Sequence, residues 1–155
     1  AIYIIGLFET VLQSIIALAA FIPVIVGMGG NVGTQSSTII IRGFATGRVQ
    51  LMQVGKVIWK EIRVGLLLGT FYGILLGAVA STKLIDAPPR LGLVVGLAIC
   101  ASMVLATSIG TLVPILLRKI DVDPAIASGP FVTTSIDVLG ILVYFLIAAS
   151  LFSGI

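Results

Sequence analysis

The sequence predicts an all-α membrane protein, a helical bundle with four complete transmembrane helices plus the end of a preceding one. Two observations carry that prediction. Only 10% of the 155 residues are charged and 59% are hydrophobic, with a mean hydropathy of +1.27, whereas an ordinary soluble domain has about 25% charged residues. Four stretches also carry no charge at all: Thr10 to Ile41, Val64 to Thr82, Leu91 to Leu117 and Val138 to Ile155, of 32, 19, 27 and 18 residues. Each is near or above the roughly 17 to 25 residues needed to cross about 30 Å of hydrocarbon. A soluble enzyme, a nucleic-acid binder and a secreted disulfide scaffold are thereby excluded.

The elements follow in chain order. Residues 1–8 are apolar but too short to span, and no initiator Met or basic leader precedes them, so they read as the tail of a helix that starts before Ala1. A helix is expected from Glu9 to Gly27, a glycine-rich break over Gly27 to Gly33, and a helical continuation to Arg42. A loop over Gly43 to Gln53 leads to a helix from Val54 to Thr82. The polar turn Lys83 to Arg90, with Pro88-Pro89, precedes a helix from Leu91 to Leu117. After Arg118 to Val122, the last helix starts at Asp123-Pro124, an N-cap followed by proline at the first helical position. Gly129-Pro130 is expected to interrupt it before the run to Phe152.

Basic residues give the orientation. Arg42, Arg48, Lys56, Lys60, Arg63, Arg118 and Lys119 flank the first and third connections, against Lys83 and Arg90 at the second. The positive-inside rule then places the first and third connections in the cytoplasm and the C-terminus outside, in a multi-pass protein of the cell membrane. The net charge of +3 is therefore topology; nine Lys and Arg form no patch that could neutralise a row of phosphates. Gly65, Gly69, Gly73 and Gly77 recur every four residues, a stripe where another helix can approach closely. A glycine-lined pore wall is the alternative. Ser102, Ala106 and Gly110 repeat the spacing on the following helix and are expected to serve the same purpose.

The costly residues are polar ones at membrane depth. With no His and a single cysteine, Cys100, any ion is handled by oxygen. Asp137 lies six residues into an apolar run counted from Phe131, and a carboxylate there costs roughly 2.5 to 3.5 kcal/mol on insertion scales. It should face an aqueous cavity or a cation, with Thr133, Thr134 and Gly140 on its face; a protonated or Arg-paired structural Asp is the other reading. The second constellation is Pro23 to Ser37, with Gly27, Gly29, Gly30 and Gly33 among Asn31, Thr34, Gln35 and Ser36. Backbone freed there is tolerated at depth only inside protein or along a wet cavity. Freed carbonyls, the Asn31 and Gln35 amides and the Ser36 and Ser37 hydroxyls would make an all-oxygen wall for a hard cation or its water shell. A re-entrant kink that serves packing is the alternative. Glu9 and Glu61 read as interfacial carboxylates, Glu61 pairing locally with Lys56, Lys60 or Arg63, and both are also candidates for a peripheral cation site.

These residues carry a resemblance. Pro23 through Gln35, read as P-x(6)-G-N-x-G-x-Q and followed by Ile40-Ile41-Arg42, resembles the signature of the MgtE family of magnesium channels and its solute carrier 41 relatives. Asp123-Pro124-Ala125, Ser128 to Thr134 and Asp137 to Gly140 resemble that family's pore helix, and Lys60-Glu61 before Val64 to Gly69 resembles its third helix. The resemblance implies residues 1–155 are one transmembrane pore domain, in a homodimer of five-helix subunits with a single central pore. In it an Asp, matched here by Asp137, binds largely hydrated Mg²⁺, the transported ion. It also implies cytosolic N and CBS domains in the full-length protein, which this chain lacks. Where family members commonly carry Asn, this chain has Gly129, which leaves a backbone carbonyl to replace a side-chain ligand. Asp137 would then be the metal residue, and Gly27, Gly30, Asn31, Gly33, Gln35, Gly129, Thr133 and Thr134 the pathway.

Passive influx would be driven by the membrane potential, worth about 4.6 kcal/mol per 100 mV for a divalent ion. No phosphate-binding loop and no pairing of Asp with His or Cys is present, so no enzyme is expected. An ion-coupled secondary transporter of another small cation would also use a midplane Asp and a broken helix. A purely structural membrane module would need only the packing stripes.

Overall fold

The computed structural model describes residues 2–49, 54–82, 88 and 90–152. Six helices run in the order α1 (Ile2–Leu7), α2 (Glu9–Ser14), α3 (Leu18–Ala45), α4 (Val54–Ala80), α5 (Arg90–Lys119) and α6 (Pro124–Phe152). Four stretches are long and apolar enough to cross a membrane: Leu18–Ala45, Val54–Ala80, Arg90–Lys119 and Ser128–Phe152. At 1.5 Å per residue each helix is about 40 to 45 Å long, so each reaches beyond a 30 Å hydrocarbon core into the headgroups. The expected turn at Lys83 to Ala87 and the end of the first loop, Gln50 to Gln53, lie outside the described residues.

Helix boundaries have local causes. Asp123 caps α6, its Oδ1 accepting from the Ala125 N–H at 2.9 Å, as its pairing with Pro124 predicts. At the end of α5, the Val122 N–H donates to the Leu117 carbonyl at 3.0 Å and the Asp121 N–H to the Arg118 carbonyl at 3.4 Å. That bond pair is a Schellman cap, and Asp121 takes the left-handed position at φ 57°. Gly47, at φ 70°, turns the chain out of α3 in the same conformation.

Three expectations are corrected. The helix expected from Glu9 is split at Ile15, which has φ −139° and ψ 82°; the turn lets both Ile15 and Leu18 point into the core, 7% and 0% exposed. The break expected over Gly27 to Gly33 does not exist, since α3 runs unbroken through Pro23 and all four glycines. Nor does Gly129-Pro130 interrupt α6. A proline removes its own N–H, leaves the carbonyl four residues before it unpaired and crowds it, but in hydrocarbon every other backbone group still has no better partner than its own helix. Flexible glycine is thus held helical where it would fray in water.

Helix α5 is the hub. Half of its membrane window is buried inside the protein, against 22% for α4, because α3, α4 and α6 all pack on it. Against α4 the predicted stripe is the seam: a methyl on Gly73 would lie 2.6 Å from the Gly96 carbonyl oxygen, and one on Gly77 2.7 Å from that of Gly92. The α5 side of this seam is Gly92, Gly96 and Cys100. Ser102, Ala106 and Gly110 also serve packing, but on the opposite side: Gly110 abuts the Gly33 backbone of α3, and Ser102 faces Gly140 of α6. The main core joins Leu18, Phe21 and Ile25 to Val94, Val95, Ala98 and Ile99 and to Tyr144, Ala148 and Phe152. Inside it the Tyr144 hydroxyl donates to the Leu18 carbonyl at 3.0 Å, and Phe8 stacks on Phe145 at 5.3 Å.

Two outcomes follow for stability. Gly73→Leu should lower the thermal unfolding midpoint in detergent, at a cost of about 1–3 kcal/mol or more from overpacking. Gly55→Ala, where an added methyl meets nothing within 4 Å, should not; equal midpoints for the two variants contradict the seam. Tyr144→Phe should cost about 1 kcal/mol by deleting the buried hydrogen bond to Leu18, and an unchanged midpoint would show that bond to be idle.

Candidate ion pathway

The site rests on two adjacent helices, α3 and α6. They are locked by Ile136, which fills the grooves over Gly29 and Gly33, with Val132 and Ala106 beside it. A hydrogen bond from Ser37 Oγ to Ser128 Oγ at 3.3 Å joins them toward the other end of the contact. Ile136 faces inward, so Asp137 projects about 100° further round α6, half-buried at the edge of the exposed face. It lies about 20 Å along α6 from Pro124 and about 22 Å from Phe152. Because α6 is continuous, the carboxylate is nearer mid-span than a helix starting at Phe131 would place it. Among the described residues no hydrogen bond or ion pair reaches it.

Thr133 is half-buried, its hydroxyl donating to the Gly129 and Pro130 carbonyls at 3.1 and 3.3 Å, and Thr134 is exposed one turn before Asp137. Gly129 is exposed and has open space where a side chain would stand. On α3, Gly27 is exposed, Gly30 half-buried, and neither has a neighbour within 4 Å of an added methyl. Asn31, Thr34, Gln35 and Thr38 are exposed. Thr34 and Thr38 donate back to the Gly30 and Thr34 carbonyls at 2.8 Å, which ties their protons to the helix and leaves their oxygens as acceptors. Gly33 differs from the others: it is buried in the α3–α5–α6 junction against Ile136 and the Ala106 carbonyl. With α3 unbroken, the carbonyls of the Gly27 to Gly33 stretch are held in the helix's own hydrogen bonds, and the amide side chains α3 presents, Asn31 and Gln35, line the crevice beside Glu61.

The two glutamates separate. Glu9 is exposed and accepts from Gln13 Nε2 at 2.9 Å within α2. Glu61 is 5% exposed, and its partner is not a neighbouring base: Ser36 Oγ donates to its Oε2 at 2.8 Å. Lys56, Lys60 and Arg63 are exposed, and among the described residues none forms an ion pair with it. Ser36 and Ser37 figure in the sequence as hydroxyls of the expected oxygen wall, whereas Ser102 and Ser128 are not marked there as site residues. Ser102 Oγ is fully buried with no hydrogen-bond partner among the described residues, facing Gly140 one turn after Asp137. A serine pair such as Ser36-Ser37 on an apolar helix was the available signal.

Comparison with known proteins identifies the family. The MgtE family, described as a divalent cation transporter, matches residues 22–147. The magnesium transporter MgtE of Thermus thermophilus is 42% identical over 149 residues, covering 96% of this chain and 32% of that protein. That of Bacillus subtilis is 39% identical over 147 residues, 95% of this chain and 32% of its own length. That of Enterococcus faecalis is 36% identical over 142 residues, 92% and 31% respectively. This chain thus spans about a third of the relatives it matches, which are transporters and not enzymes. The matched stretch takes in both the glycine-rich α3 and the Asp137 segment of α6, and on that extent the chain belongs to the MgtE family of divalent cation transporters.

Proposed function

We propose that this chain is the membrane pore of a Mg²⁺ transporter, in which two copies meet so that α3 and α6 of each line one path and the Asp137 carboxylates hold a largely hydrated Mg²⁺. The observation that carries the reading is Asp137 itself: a carboxylate near mid-span, at the edge of an exposed face, with no protein partner among the described residues. Lipid is a poor neighbour for such a group. A cation with its water is a good one, because Mg²⁺ dehydrates reluctantly and is usually held through water by one or two carboxylates. One carboxylate per copy makes an incomplete site, and a second copy related by two-fold symmetry supplies the other.

The remaining parts follow the same chemistry. The open space over Gly129 exposes backbone on α6, whereas Asn31 and Gln35 line the crevice between α3 and α4 beside Glu61 and are not assigned to the Asp137 ion. Transport is passive, down the membrane potential, with the α3–α4 and α5–α6 connections in the cytoplasm and the C-terminus outside. The further length of the relatives leaves room for cytosolic N and CBS domains, the expected regulatory partners of this pore in its full-length protein.

The test is Mg²⁺ flux into proteoliposomes of the full-length protein under an imposed potential. Asp137→Ala should fold and assemble but lose flux by at least about tenfold, equivalent to about 1.4 kcal/mol; wild-type flux would defeat the assignment and leave a structural Asp. In Asp137→Asn, partial flux points to water-mediated hydrogen bonding, and complete loss to charge. Gly129→Asn should fold as stably as the parent, since nothing obstructs it, and should retain Mg²⁺ flux; a collapse in stability would contradict the open position.

A further inference from the structure

We propose that the crevice between α3 and α4 is a second cation site, built around Glu61 and separate from Asp137. The two helices do not pack on one another as each packs on α5. They flank a cavity of about 370 Å³ lined by Asn31, Gln35, Ser36, Lys60 and Glu61 and by apolar side chains that include Ile39. The Ser36–Glu61 hydrogen bond bridges it.

The chemistry is that of a hard-cation site. Glu61 is 5% exposed and about 10 Å along α4 from Val54, deep enough that an unbalanced carboxylate is costly. Its bonded partner is a single neutral hydroxyl, and among the described residues Lys56, Lys60 and Arg63 form no ion pair with it, although Lys60 also lines the cavity. The other polar groups lining the cavity are the Lys60 ammonium and the amides of Asn31 and Gln35, whose oxygens are neutral ligands. One carboxylate with neutral oxygens suits Mg²⁺ held through its own water, the mode that ion favours. Three carboxylates are not needed for such outer-sphere binding. The site lies on the other side of α3 from α6: Gly29 and Gly33 face Ile136, whereas Gln35 and Ile39 face the crevice. It therefore does not depend on the pore reading.

The experiment uses the full-length protein in proteoliposomes, with native cysteines replaced, carrying Ile39→Cys as a reporter in the crevice and Asp137→Ala to remove the pore site. The rate of modification by a neutral, water-soluble thiol reagent is measured against Mg²⁺ concentration. Protection follows the fraction of empty sites, so at ten times the dissociation constant the rate should fall about tenfold, and Glu61→Gln should abolish that protection at an unchanged unfolding midpoint. If Glu61→Gln fails to assemble, Ser36→Ala should shift protection to higher Mg²⁺. Protection that survives these variants, equal protection by Na⁺ at matched ionic strength, or no labelling at position 39 while Thr46→Cys reacts would each overturn the site.

Discussion

The whole arrangement hangs on backbone meeting backbone at α5. In hydrocarbon no hydrophobic force pushes helices together, because lipid tails are as apolar as leucine, so association relies on close van der Waals contact. Glycine permits that contact on two sides of α5 at once. On one side Gly73 and Gly77 lie against the Gly96 and Gly92 carbonyls; on the other, the Gly33 carbonyl lies against Gly110. Side chains at these points would drive α3 and α4 away from the hub. The position of α6 depends on the same seam, since Ile136 seats over Gly29 and Gly33, and the place of Asp137 is set by Ile136 next to it. Packing and site share one set of glycines.

The continuity of α3 and α6 changes what the protein can offer an ion. A broken helix would present bare carbonyls; an intact one withholds them in its own hydrogen bonds. The polar groups left at membrane depth are then side chains: Asp137 on α6, Asn31 and Gln35 on α3, Glu61 on α4. Thr34, Thr38 and Thr133 donate their protons to carbonyls of their own helices, which leaves their oxygens as acceptors. Such an array is better matched to a cation's water shell than to a dehydrated ion, because flexible side chains with single carboxylates seldom enforce the tight octahedral geometry Mg²⁺ demands.

Much of the fold was legible in the sequence where a signal was local or strictly periodic. Uncharged runs marked the spans, Asp123-Pro124 marked the start of α6, and the four-residue spacing of Gly65 to Gly77 marked a seam. The partner of that seam was harder to find: α5 carries two small-residue registers, Gly92-Gly96-Cys100 and Ser102-Ala106-Gly110, and spacing alone does not say which faces α4. Proline and glycine were read with the rules of water, where a competing solvent breaks helices; inside hydrocarbon that competitor is missing. The turn at Ile15 has no Gly or Pro to announce it and arises from burying Ile15 and Leu18 together. Asp137 stood out because a carboxylate among apolar residues needs a reason. Glu61 did not, since Lys56, Lys60 and Arg63 nearby in sequence supplied a ready partner, and only the approach of Ser36, 25 residues away, reveals its true one.

Central to the account is that Asp137 of one copy stands across an ion path from Asp137 of another. The most direct measurement is cross-linking of Asp137→Cys in the full-length protein, with other cysteines replaced, by a short flexible bifunctional thiol reagent that can span a gap wide enough for a hydrated ion, since a direct disulfide needs Cβ atoms about 3.5–4.5 Å apart. The reagent should yield a dimer linked at position 137 and block whatever cation flux the variant retains. Monomers only, from thiols that a monofunctional reagent labels, would place Asp137 away from any such axis and contradict the account.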